Sequence, residues 1–289
     1  MKKEHPLAGH GAIFLCAVLW STSGLFIKMI LEENWHPVVI FGLRSFVAGI
    51  FMLCIRIFFK PAKKQTSKKL PLWAGAFAYA LVMLTFVVAN NFTTAANVIV
   101  LQYSAPIWAG VLGWLLIKEK PHWENWAALI LIFGGFTIFF REGLASGAFL
   151  GDSLAILSGL LFGAHSVFMR MQKDGNPADS MLLAHAVSFA ISIPFIILHP
   201  PSLSVTSVLP IIFMGVVQIG CASLLYAYAI RRISAVQAML TATIEPLLNP
   251  VWVILIIGEA PTVSALIGGS IILTAVVFST IIGKRRSKI

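Results

Sequence analysis

Long apolar runs separated by short polar links dominate this chain. A helix needs about 20 apolar residues to cross the hydrocarbon core of a bilayer. The runs predict ten such helices, near Gly11–Leu31, Pro37–Phe59, Leu72–Asn90, Ala95–Ile117, His122–Phe140, Leu150–Met171, Asp179–His199, Val208–Ile230, Ser234–Ile257 and Pro261–Ile282. Trp35, Trp73, Trp123 and Trp126 fall at run ends, where indole rings meet the headgroups. No link is long enough to hold a second, soluble domain. The first run is too long for a cleaved signal peptide and is read as a span. The expected fold is all-α, a membrane protein of ten transmembrane helices.

The runs also repeat. An offset of 140 residues matches Gly11 with Gly151, Pro37 with Pro177, Gly75 with Gly215, Ala95 with Ala235, Pro106 with Pro246 and Glu119 with Glu259. Residues 1–141 and 142–289 are therefore expected to be two copies of a five-helix repeat. Because five is odd, the second copy must enter the membrane upside down. Inverted repeats around a central site are a transporter architecture, since two similar halves supply outward- and inward-open states of comparable energy.

Composition agrees with lipid as the solvent. Of 289 residues 58% are apolar and 11% charged, against about 25% charged in a soluble domain. The net charge of +10 would suggest nucleic acid in a soluble protein, but its placement argues otherwise. Apart from Arg141, Lys28 and Arg44, every lysine and arginine falls on the side of the N-terminus and alternate links. That asymmetry predicts a multi-pass protein of the cell membrane with both termini cytoplasmic, and no nucleic-acid partner. Cys16, Cys54 and Cys221 sit in apolar runs without metal-ligand spacing, so neither a disulfide framework nor a metal is expected. HExxH, paired acidic motifs and nucleotide-binding loops are absent, which argues against an enzyme and against a cofactor.

Ionisable and polar groups at membrane depth are costly, and so are the first candidates for function. Glu245 lies midway along the ninth span, and Gln237, Thr241, Glu245 and Asn249 recur every four residues, on one helical face. Such a stripe must face protein or water. Glu245 is a candidate to bind a substrate ammonium or to carry a proton, the alternative being a protonated, structurally satisfied carboxyl. Asn97 and Gln102 are candidate lining residues on the fourth span, beside Tyr103 and Ser104; interhelical hydrogen bonds are the competing reading. Pro106 and Pro246 remove a backbone donor in matching spans and are expected hinges or kinks. Arg44 could grip a carboxylate or phosphate, or snorkel to the headgroups; Lys28 has the same two readings. His165 and His185 are inside spans and could relay protons or simply be hydrogen-bonded. Trp20, Tyr79, Trp108 and Tyr226 are candidates for an aromatic wall, or for packing. Glu119 and Glu259 precede Pro121 and Pro261 and fit a structural role at the start of the next span. Ala265 and Gly269 allow close helix approach, within a monomer or across a homodimer.

The paired helix endings, a proline followed by Lys118-Glu119 in one copy and Gly258-Glu259 in the other, resemble the EamA-type drug/metabolite transporters. The stretch from Trp20 to Lys28 and the Leu43-Arg44 pair are also similar to that family's pattern. The resemblance spans essentially the whole chain and implies inverted five-helix repeats that move small metabolites, often outward. The expected function is a secondary transporter, an exporter of small metabolites such as amino acids, working by alternating access with proton coupling. The alternative is a multidrug or cation efflux transporter with Glu245 as the cation or proton site.

Overall fold

The computed structural model describes residues 6–22, 26, 30, 35–58, 68–90, 92–141, 148–202, 204–257 and 262–286. Among them there are helices and turns but no strand. In chain order the helices are α1 (Pro6–Ser21), α2 (Pro37–Phe58), α3 (Lys69–Ala89), α4 (Ala95–Gln102), α5 (Ala105–Ile117), α6 (Trp123–Phe139) and α7 (Phe149–Arg170). There follow α8 (Ala178–Leu198), α9 (Val205–Phe213), a π-helical segment (Met214–Cys221), α10 (Ala222–Ile230), α11 (Ala235–Ala242), α12 (Glu245–Ile257) and α13 (Val263–Arg286). Six stretches are long and apolar enough to cross a bilayer: α2, α3, residues 97–117, α7, α8 and the rod from α9 through α10. Shorter apolar helices occupy the other four expected positions.

Two rods are interrupted at equivalent places. Between α4 and α5 the chain turns at Tyr103–Ser104, and between α11 and α12 at Thr243–Ile244. Pro106 and Pro246 each lie one residue into the resumed helix, where a missing N–H costs nothing. The preceding backbone closes with tighter i−3 hydrogen bonds, such as Ser104 N to Leu101 O and Ile244 N to Thr241 O. Both rods also begin alike. Thr94 and Ser234 accept from the backbone N–H of Asn97 and Gln237, capping donors that the first helical turn leaves free.

Helix contacts are preserved when the two halves are exchanged. α3 packs on α7 as α10 packs on α1, and α3 on α8 as the π segment packs on α2. The pairs α2 with α8 and α6 with α13 map onto themselves. Glycines allow the closest crossings. A Cβ on Gly163 would lie 2.7 Å from the Ala105 carbonyl and the Ala109 nitrogen, and one on Gly268 would lie 2.5 Å from the Gly135 carbonyl. Packing this close supplies the dispersion that holds apolar helices together in lipid, where no hydrophobic driving force remains between them.

Candidate transport cavity

The interrupted rods meet inside the bundle. Tyr103, in the turn of the first copy, donates its hydroxyl to the Glu245 carboxylate of the second at 2.9 Å. Glu245 opens α12, so its charge lies at the positive end of a helix dipole. Beside it is a cavity of about 130 Å³, lined by Trp20, Arg44, Tyr79, Val82, Met83, Phe86, Gln102, Phe162, Gln218, Ile219 and Glu245. These residues lie toward the end of the bundle where α1 and α3 finish and α2 begins.

Two of the lining groups are held by hydrogen bonds from their amide nitrogens. Gln102 Nε2 donates to Ser158 Oγ at 2.8 Å, and Ser158 passes a bond to the Val82 carbonyl at 3.1 Å. Gln218 Nε2 donates to the Trp20 carbonyl at 3.3 Å, one of the acceptors that the end of α1 leaves without an intrahelical partner. The charged group opposite is less satisfied. Arg44 is only 9% exposed, its Nη2 lies 3.8 Å from the Met83 sulfur, and its Nε has no hydrogen-bond partner. No carboxylate of the described residues forms an ion pair with it. A buried guanidinium without a counterion costs several kcal/mol unless something else supplies the negative charge.

Below the cavity aromatic rings and imidazoles stack in a column. Trp20 contacts Phe162 and Tyr226, Tyr226 contacts His165, and Tyr79 contacts both His165 and His185. His165 Nδ1 donates to the Gly75 carbonyl at 2.8 Å, His185 Nε2 is 3.0 Å from Ser223 Oγ, and the Tyr226 hydroxyl donates to Ser166 at 2.9 Å. Trp20 and Tyr79 thus line the cavity, whereas Tyr226 and His165 stand behind that wall.

The remaining candidates lie elsewhere. Asn97 donates to Thr93 and to Asp152, each at 3.0 Å, tying α4 to the start of α7. Thr241 is hydrogen-bonded to His10 of α1 at 2.9 Å. Gln237 completes the cap of α11 with Ser234 and lines a second cavity of about 270 Å³ with Glu119, Lys120, His122 and Asn125. Gln237 and Thr241, both on α11, and Glu245, beyond the break at Thr243–Ile244, thus meet different parts of the bundle. Trp108 donates to Ser104, one turn back in its own rod. The side chain of Asn249 and that of Ala265 lie outside the described residues, as do Lys28 and Glu259. Gln218, Met83 and Phe162 were not singled out from the sequence. For Gln218 a signal existed: a lone amide in an apolar run, three residues from Gly215 and two from Gly220.

The end of the bundle away from the 130 Å³ cavity is tied across the two halves by charge. Arg170, closing α7, donates Nε to Glu119 at 2.8 Å and Nη1 to the Ile230 carbonyl at 2.8 Å. Lys173 stands 3.9 Å from the same carboxylate, and Arg56 pairs with Asp179.

A bundle of apolar helices, duplicated in sequence and enclosing a cavity with buried charges, defines a membrane transport protein. The chain belongs to the EamA-like transporter family, whose pattern matches twice, over residues 7–141 and 149–281. It is 22% identical over 270 residues to the uncharacterized transporter YwfM of Bacillus subtilis, covering 89% of this chain and 88% of that one. It is 26% identical over 197 residues to solute carrier family 35 member G1 of Mus musculus, covering 66% of this chain and 48% of the relative. A solved crystal structure of a protein 16% identical in sequence superposes with a TM-score of 0.83, covering 96% of this chain and 99% of the other; that likeness shows a shared fold. The protein is a transporter and not an enzyme.

Proposed function

We propose that this chain is a secondary carrier of small zwitterionic metabolites, amino acids in particular. Ten spans in two inverted copies, residues 1–141 and 142–289, alternate access to the 130 Å³ cavity. Both termini are cytoplasmic in a cell-membrane protein, and the direction is outward, as the family resemblance implies. The observation that carries this reading is that Arg44 and Glu245 line the same cavity. A carboxylate satisfies the guanidinium and an ammonium faces Glu245, so a zwitterion compensates both charges while a simple cation leaves Arg44 unpaired.

Size supports the same class. Sites that enclose drug-sized ligands occupy about 300–1,000 Å³, well above this cavity. Efflux of lipophilic cations, with Glu245 as their site, is the second reading and rests on Glu245 with the rings of Trp20, Tyr79 and Phe162. Ion pairing at the opposite end supports a state in which the cavity is closed on the side of the terminal lysines. Rocking the halves to open that side requires the Arg170–Glu119 and Arg56–Asp179 pairs to part. Glu245 also carries the coupling proton in this account, exchanging its partner Tyr103 for the cargo.

The test is flux in proteoliposomes. Purified protein should exchange labelled amino acids in preference to tetraphenylphosphonium, with a response to an imposed pH gradient that Glu245→Gln removes. Preferential exchange of tetraphenylphosphonium would establish the second reading instead, and an unchanged gradient response in the variant would remove the proton from Glu245.

A further inference from the structure

Gln218 is the lining residue whose chemistry is least explained by packing. It is 1% exposed, its amide nitrogen is committed to the Trp20 carbonyl, and its side-chain oxygen has no partner. Leaving a buried acceptor unpaired costs about 1–3 kcal/mol. In a native structure such a group calls for a specific use. The backbone around it is also unusual. Residues 214–221 form a π-helical segment, a conformation that occurs mostly as short bulges and often at functional sites.

This segment is clamped to the helix that carries Arg44. A Cβ on Gly215 would lie 2.5 Å from Val47 Cβ and 3.0 Å from the Arg44 carbonyl, and one on Gly220 would lie 2.6 Å from the Phe51 ring. Only glycines allow the two backbones to approach so closely. Arg44 and Gln218 are thus placed by one rigid contact, and both line the same small cavity. The first presents an unpaired donor, Nε, and the second an unpaired acceptor, Oε1. At the matching positions of the other copy stand Ala184 and Ala78, so the pair occurs on one side of the bundle.

We propose that Gln218 is a specificity-determining residue, whose side-chain oxygen accepts a hydrogen bond from a donor that the cargo carries close to the carboxylate held by Arg44. This inference rests on the carrier reading above and sharpens it. The preferred substrates are 2-amino acids, with one ammonium N–H to Gln218 and the remaining charge facing Glu245. Carboxylates of the same size without a donor at that carbon are rejected, because they leave Oε1 as unsatisfied as it is in the empty cavity.

The experiment is competition in proteoliposomes of the full chain. Exchange of labelled L-leucine is measured against unlabelled L-leucine and against 4-methylpentanoate, which has the same carbon skeleton without the amine. Wild type should prefer the amino acid, and Gln218→Leu should reduce that preference by roughly ten- to a hundredfold, the worth of one hydrogen bond to a charged group. Gln218→Asn keeps a neutral amide with donor and acceptor and should lose less of the preference than Gln218→Leu, which also covers the case in which the leucine variant fails to fold. A purely structural role predicts instead that both competitors weaken together and their ratio stays fixed, which would overturn the inference while leaving the carrier reading in place. Absence of exchange with any amino acid in the wild type would overturn both.

Discussion

Removing the charge of Arg170 should loosen one end of the bundle, by an amount that its geometry bounds. Its Nε lies 2.8 Å from Glu119, and the two side chains are 13% and 26% exposed. Exposed ion pairs are worth about 0.2–1 kcal/mol, and buried hydrogen bonds to charged groups about 1.5–3 kcal/mol. A pair at intermediate burial falls at about 1–2 kcal/mol. The second bond, to the Ile230 carbonyl, stays within the second copy and cancels when two arrangements of the halves are compared. Lys173 is too distant, at 3.9 Å, to replace the lost contact in full. Arg170→Gln and Glu119→Gln should therefore each shift the equilibrium toward opening at this end by roughly 5–30-fold. The assay is the labelling rate of Gln237→Cys, which lines the cavity at that end, by a membrane-impermeant thiol reagent, with Cys16, Cys54 and Cys221 replaced by serine. The double variant should label no faster than either single one, since both remove the same interaction. Unchanged rates in the single variants, or effects that simply add, would refute the reasoning.

Two further expectations follow from packing and from titration. Gly163→Ala places a methyl group 2.7 Å from backbone atoms of α5, so α7 must move away; an overpacking cost of about 1–3 kcal/mol should lower the detergent melting temperature, while Gly134→Ala, with nothing within 4 Å, should not. His36 stacks on His199 at 4.7 Å and accepts a hydrogen bond from the Val38 N–H through Nδ1. Partial burial and the neighbouring imidazole of His199 hold its pKa below the ordinary 6.5. The unfolded chain then binds the proton more readily, so this stabilising contribution is complete above pH 6.5 and is lost as pH falls through the folded-state value. His36→Gln should flatten the acid limb of the melting profile, and a limb unchanged by the substitution would contradict this.

Much of the fold could be read from the sequence because lipid permits so few solutions. Apolar run lengths located the helices, and the 140-residue offset placed Pro106 opposite Pro246, where both rods break. Four-residue spacing shows a shared face only along an unbroken helix and does not reveal which neighbour each residue meets. With the turn at Thr243–Ile244, Glu245 reaches the cavity while Thr241 meets α1 and Gln237 the far end. Asn97 forms an interhelical hydrogen bond to Asp152, 55 residues away, and residue type alone does not reveal which partner a long-range contact uses. Gln218 was overlooked because hydropathy averages hide one amide among apolar neighbours, and the π-helical turn that supports it has no simple sequence signature. Arg44 and Glu245 are visible as costly residues, but only the assembled bundle brings both to one cavity.

Cysteine accessibility from both membrane faces tests the central claim most directly. Val82→Cys places a thiol in the wall of the 130 Å³ cavity, again with the native cysteines replaced. In right-side-out and inside-out vesicles the account predicts labelling by an impermeant reagent from either face, with Arg170→Gln raising the rate from the face of the terminal lysines. Labelling from a single face, unaltered by that substitution or by amino acids, would contradict a cavity that opens alternately to the two sides.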